Sequence, residues 1–147
     1  MLKTDEWLSL SVVGLVVLFV FLSISFYTFL IGPNSEGPQT IIEPSSSFIQ
    51  IIFLSVGPAV ALSFFTNVVS GERSKLSSIL VISSGIILIV GMIFVSFLIP
   101  QVKHIQLPIW IANTPLIFLL FGIILFLLGV IKYRKSTQTR NTTLDSN

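Results

Sequence analysis

The sequence predicts an all-α integral membrane protein, a four-transmembrane-helix bundle of up-down-up-down topology with both termini in the cytoplasm. Three observations predict it. The chain of 147 residues is 53% hydrophobic and only 10% charged, whereas soluble domains are about 25% charged. Its apolar residues fall in four long runs, which is the membrane pattern. If these runs cross the membrane in alternating directions, almost all of the basic residues lie on the same side of the membrane.

The first run covers residues 8–31 without a charge. Because a helix rises about 1.5 Å per residue, this run can cross a hydrocarbon core of about 30 Å. A signal peptide is the alternative, but its apolar region would be only about 7–15 residues long, so we expect the run to stay in the mature protein. The prolines at positions 33, 38 and 44 then predict an extended loop.

The second and third runs form a predicted hairpin. The second covers residues 48–70 and is interrupted by Pro58, Thr66 and Asn67; the third covers residues 77–99 and ends at Pro100. The polar turn between them is so short that it predicts two antiparallel neighbours.

The fourth run covers residues 115–131, and Thr114-Pro115 before it resembles an N-cap followed by proline at the first helical position. Residues 101–113 before it are expected to form a loop that lies partly in the membrane interface. We therefore divide the chain into a membrane domain at 1–135 and a polar tail at 136–147 that is predicted to be disordered.

Orientation follows from the basic residues, which are enriched in cytoplasmic loops. With the amino terminus inside, seven of the eight lysines and arginines are cytoplasmic, and only Lys103 lies outside. Trp7 and Tyr133 then lie at the inner interface and Trp110 at the outer one, as aromatic anchors do. Residues 132–135 predict a stop-transfer anchor that attracts anionic lipid headgroups.

Small residues recur at helical spacings along three of the runs. Such spacing allows two helix backbones to approach closely, which matters because apolar attraction cannot drive helices together in lipid. The seams predict contacts either within the chain's own bundle or with another subunit, and the sequence leaves both open. The candidate contact residues are Ser55, Ala59, Ser63, Asn67 and Gly71 in the second run, Ser84 and Gly91 in the third, and Gly122 and Gly129 in the fourth.

Two features of the second run permit a transport role. Pro58 predicts a kink, which is either a static feature of packing or a hinge of the kind that transporters use. Asn67 is interpreted as an interhelical hydrogen-bonding group, with substrate or ion binding as the alternative.

Catalytic and cofactor chemistry have little support in the sequence. No Asp, Glu, Lys, Arg or His falls inside the four predicted spans, although proton relays and ion pathways use such groups. The chain has no cysteine and one histidine, His104, so we expect no metal site, no cofactor and no enzymatic activity.

The segment Ser70-Gly71-Glu72-Arg73 after an apolar run resembles the cytoplasmic turn in permease subunits of type-2 ABC exporters. The resemblance covers four residues and ends at Ser74-Lys75-Leu76. Those permeases usually carry six spans, so the resemblance assigns no functional residue here.

Two functional hypotheses follow. The first is a non-catalytic subunit or scaffold of a larger membrane complex, which explains the small-residue seams and the short loops. The alternative is a component of a small-solute transporter or channel that acts as an oligomer. The expected partners are the lipid bilayer and other membrane subunits or further copies of the chain, with no nucleic acid. The 21 isoleucines and three alanines favour an AT-rich prokaryotic genome, and hence a multi-pass protein of a prokaryotic cell membrane.

Overall fold

The computed structural model describes residues 4–32, 37, 74–102 and 109–144. These residues form helices: α1 (Thr4–Ile31), α2 (Lys75–Leu98), a 3-10 turn (Ile99–Gln101), the short α3 (Ile109–Ala112) and α4 (Thr114–Leu144). Three segments, Thr4–Ile31, Lys75–Gln101 and Thr114–Thr137, are long and apolar enough to span a membrane. They contain the first, third and fourth predicted spans. The second predicted span, 48–70, lies outside the described residues, as do Lys103 and His104.

Helix α1 has clear signals at both ends. Asp5 and Glu6 lie in its first turn, where negative charge interacts favourably with the helix dipole. Gly32 ends it in the left-handed conformation with a φ of 68° and donates its backbone N–H to the carbonyl of Thr28. A Cβ at Gly32 would lie 1.9 Å from the carbonyl oxygen of Gly37, so this turn requires glycine.

Helix α2 begins after Ser74, whose backbone is extended and whose carbonyl accepts the N–H of Ser78. It passes into the 3-10 turn at Pro100, as the predicted end of the third span requires. Helix α4 contains Pro115 in its first turn, where a proline costs no backbone hydrogen bond. After Gly129 the helix contains neither proline nor glycine.

This absence of helix breakers explains why α4 continues to Leu144. The domain boundary at residue 135 and the disorder expected from residue 136 onward stay predictions.

The three long helices pack with α2 in contact with both of the others. Helices α1 and α2 run parallel, because Ser9 neighbours Ser77 near their starts and Val20 neighbours Gly91 further along. Helix α4 runs antiparallel to α2, since Gly129 neighbours Ile82 and Gly122 neighbours Ile89. The shared core is built from apolar side chains of all three helices, including Val12, Val16, Phe19, Leu88, Met92, Val95, Phe118 and Leu125.

Candidate functional site: a buried polar cluster

The described helices hold a buried ion pair at the end where α1 and α2 begin. The Nζ atom of Lys132, on α4, lies 2.7 Å from Oδ1 of Asp5, in the first turn of α1. Asp5 is 2% exposed and Lys132 5% exposed, and 127 residues separate them along the chain. The pair therefore joins the first and last of the long helices.

Two serine hydroxyls extend this pair into a polar cluster, which we define as Asp5, Ser9, Ser77 and Lys132. Lys132 Nζ donates to Ser77 Oγ at 2.8 Å, and Ser9 Oγ donates to the carbonyl of Asp5 at 2.8 Å. The Ser9 and Ser77 hydroxyls are hydrogen-bonded to each other. With Ser9 donating to the carbonyl of Asp5, Ser77 is the donor to Ser9. The cluster thereby connects α1, α2 and α4 in one chain of donors and acceptors.

A second polar contact at the same end joins α1 to α2. Ser74 Oγ donates to Oε1 of Glu6 at 2.5 Å. The Ser78 hydroxyl donates to the carbonyl of Ser74 at 3.1 Å. These contacts fix the start of α2 against the start of α1.

The energetics of the polar cluster are those of a buried ion pair. Moving a charge out of water costs several kcal/mol, and attraction between the partners offsets that cost only when the geometry is good. Removing one partner leaves a buried charge without its counterion, at a cost of about 3–5 kcal/mol. We therefore expect the cluster to specify how the helix ends meet rather than to add net stability.

Beyond the cluster, the helices meet through glycines. A Cβ added to Gly85 would lie 2.6 Å from the backbone nitrogen of Phe126, and one added to Gly129 would lie 2.8 Å from the backbone nitrogen of Ile82. Gly122 faces Ile89 on the same α2–α4 contact. Only a residue without a side chain allows backbones to approach this closely.

The structure places the other predicted contact residues as follows. Gly91 lies on the α1 side of α2, where an added Cβ would lie 2.5 Å from Val20 Cγ1. Ser84 is buried and its hydroxyl donates to the carbonyl of Val81 in its own helix. The predicted residues of the second run, Ser55, Ala59, Ser63, Asn67 and Gly71, and the predicted kink at Pro58 lie outside the described residues.

The sequence interpretation missed the ion pair. We expected Lys132 to belong to a cluster that attracts lipid headgroups, but its ammonium group is buried against Asp5. One signal was present. The predicted orientation places Asp5 and Lys132 on the same side of the membrane, each next to the end of an apolar span.

Among residues 4–32, 37, 74–102 and 109–144, no group of three His, Cys, Asp or Glu side chains is arranged to hold a metal ion. No protein-family model, curated protein or solved structure shows significant similarity to the chain.

Proposed function

We propose that the protein is a non-catalytic subunit or scaffold of a larger complex in a prokaryotic cell membrane. The observation that carries this proposal is the pairing of Asp5 with Lys132. Among the described residues these are the two charged side chains that are buried, and they bind each other. A general acid, general base or ion pathway needs a titratable group that can reach its substrate. Here both buried charges hold helices together.

The proposal includes four membrane spans with both termini in the cytoplasm. The starts of α1 and α2 lie together with Lys132 of α4, and the side chains of Lys75 and Arg134 are exposed near this end. Basic residues favour the cytoplasmic side. Because α1 and α2 are parallel, the chain between them has to return from one end of the bundle to the other, which supports a further crossing by residues 48–70.

The orientation can be tested with single cysteines, since the chain has none of its own. We expect Glu43→Cys to react with a membrane-impermeant maleimide in intact cells and Glu72→Cys to react only after the membrane is opened. Labelling of both in intact cells would contradict four spans with both termini inside.

The surfaces available to a partner subunit include the outward faces of α1 and α4. Phe21 on α1 is 66% exposed and Leu116 on α4 is 64% exposed. Lipid tails are as apolar as these side chains, so exposure alone does not distinguish a surface that binds a protein from one that contacts lipid. The partner has to be identified by direct contact.

Site-specific photocrosslinking tests the subunit hypothesis. A photoreactive phenylalanine analogue at Phe21 or Leu116 is expected to link the chain to one different membrane protein, which also co-purifies in fixed stoichiometry in mild detergent. Phe19, which is 0% exposed and two residues from Phe21, is the matched control and should give no link to another chain. Links only to further copies of this chain would contradict the proposal and favour the oligomeric transporter.

A further inference from the structure

Helix α2 has one large apolar face that the described helices leave uncovered. We call it the outer face of α2. It lies opposite the buried stripe that contains Ser77, Ser84 and Leu88, and its central residue, Val90, is 61% exposed. The outer face consists of Ile79, Ile86, Val90, Ile93 and Phe97.

The path of the chain points to what covers this face. The chain leaves α1 at Gly32, and Gly37 is still held at that end, since its N–H donates to the carbonyl of Ile31 at 3.0 Å. The chain enters α2 at Ser74, which binds Glu6 at the opposite end. Residues 38–73 therefore have to connect the two ends of parallel helices. The two ends, marked by Glu6 and Ile31, are about 38 Å apart along α1. A helix of the length of the 48–70 run would be about 34 Å long, and residues 38–47 and 71–73 are available to complete the connection.

The short link before α2 limits where that run can lie. Only residues 71–73 separate its last residue, Ser70, from Ser74. Four steps between Cα atoms span at most about 14 Å, and packed helices lie about 8–10 Å apart. The end of the run is therefore an immediate neighbour of the start of α2. Helices α1 and α4 already cover the other sides of α2.

We propose that residues 48–70 pack antiparallel on the outer face of α2. The proposal rests on the membrane topology proposed above. In the run, Ser55, Ala59 and Ser63 recur every four residues and would let the run approach the bulky side chains of the outer face. Counting from the short link brings Ser55 to the level of Val90. With the outer face covered by the chain itself, this face of α2 is not available to a partner subunit.

Disulfide formation between introduced cysteines tests this placement without background, because the chain lacks cysteine. Val90→Cys is combined in turn with Ile52→Cys, Ser55→Cys and Ala59→Cys, which covers a shift of about one turn in register. We expect at least one pair to oxidise within a single chain, since a disulfide requires Cα atoms within about 7 Å. An Ile86→Cys/Ala59→Cys pair replaces any variant that fails to give a monodisperse protein.

Matched controls use the same three positions with Leu18→Cys on α1 or Leu120→Cys on α4. Both are exposed and lie at about the depth of Val90, as the contacts of Gly91 with Val20 and of Gly122 with Ile89 indicate. Preferential pairing with these controls would overturn the proposal. So would disulfide-linked dimers of the Val90→Cys single variant, which indicate a second copy, or no disulfide at all, which indicates lipid. The maleimide result for Glu72→Cys separates failure of this placement from failure of the topology.

Discussion

The two ends of the α2–α4 contact are held in different ways. Near the start of α2, the polar cluster joins three helices through an ion pair and hydroxyl groups. Further along, Gly85 and Gly122 allow the α2 and α4 backbones to touch. The first contact depends on the charged and hydroxyl groups of the polar cluster, and the second depends on glycine having no side chain.

This difference determines how each region responds to change. Removing one member of a buried ion pair leaves the other charge without its counterion, so the cost is concentrated in one or two residues. A close contact between backbones is lost when any side chain is introduced, and its cost depends on how far the helices can separate. Removal of a charged side chain should therefore destabilise the polar cluster, and replacement of a glycine by a larger residue should destabilise the glycine contacts.

The largest expected effect comes from breaking the ion pair on one side. Lys132→Met keeps the length and packing of the side chain but leaves the Asp5 carboxylate without its counterion. We expect a loss of about 3 kcal/mol in the free energy of unfolding, measured by denaturant titration in detergent. Arg134→Gln, which removes an exposed charge two residues away, is the control and should change little.

A smaller loss is expected at the glycine contacts. Gly85→Ala places a methyl group against the backbone of Phe126, and the resulting separation of α2 from α4 should cost about 1–3 kcal/mol. Gly14→Ala is the matched control, because an added Cβ there meets nothing within 4 Å and alanine favours the helix. Equal stability of the two variants would show that the helices do not approach at Gly85.

The smallest effect is expected where α1 meets α4 directly. The rings of Phe19 and Phe118 lie 4.6 Å apart between centroids, and such a pair contributes about 0.5–1.5 kcal/mol beyond its buried area. Phe118→Leu should lower the midpoint of thermal unfolding slightly, and Phe21→Leu on the exposed face should leave it unchanged. A larger fall for Phe21→Leu than for Phe118→Leu would contradict this arrangement.

The sequence was informative about features that depend on local pattern. Apolar run length predicted four spans, and three of them are found as helices that are long and apolar enough to cross a membrane. The recurrence of Gly122 and Gly129 made them candidates for close contacts, although the sequence could not say with what. The Asp5–Lys132 pair was missed because it joins residues at opposite ends of the chain. A local sequence pattern does not determine which faces of two distant helices pack together.

The polar tail was predicted from composition alone. Disorder from residue 136 stays a prediction, and the described backbone of α4 is helical to Leu144. A polar sequence lacks the apolar surface that would stabilise an isolated helix. Here the residues extend a helix that is already formed, so no new nucleation is needed.

A double-mutant cycle between Asp5→Asn and Lys132→Met tests most directly the claim that the ion pair joins α1 to α4. Each single variant is expected to lose about 3 kcal/mol of unfolding free energy because it leaves one buried charge. The double variant should recover most of that loss, since no charge then lacks its counterion. Losses that simply add, with no coupling between the two sites, would contradict the account.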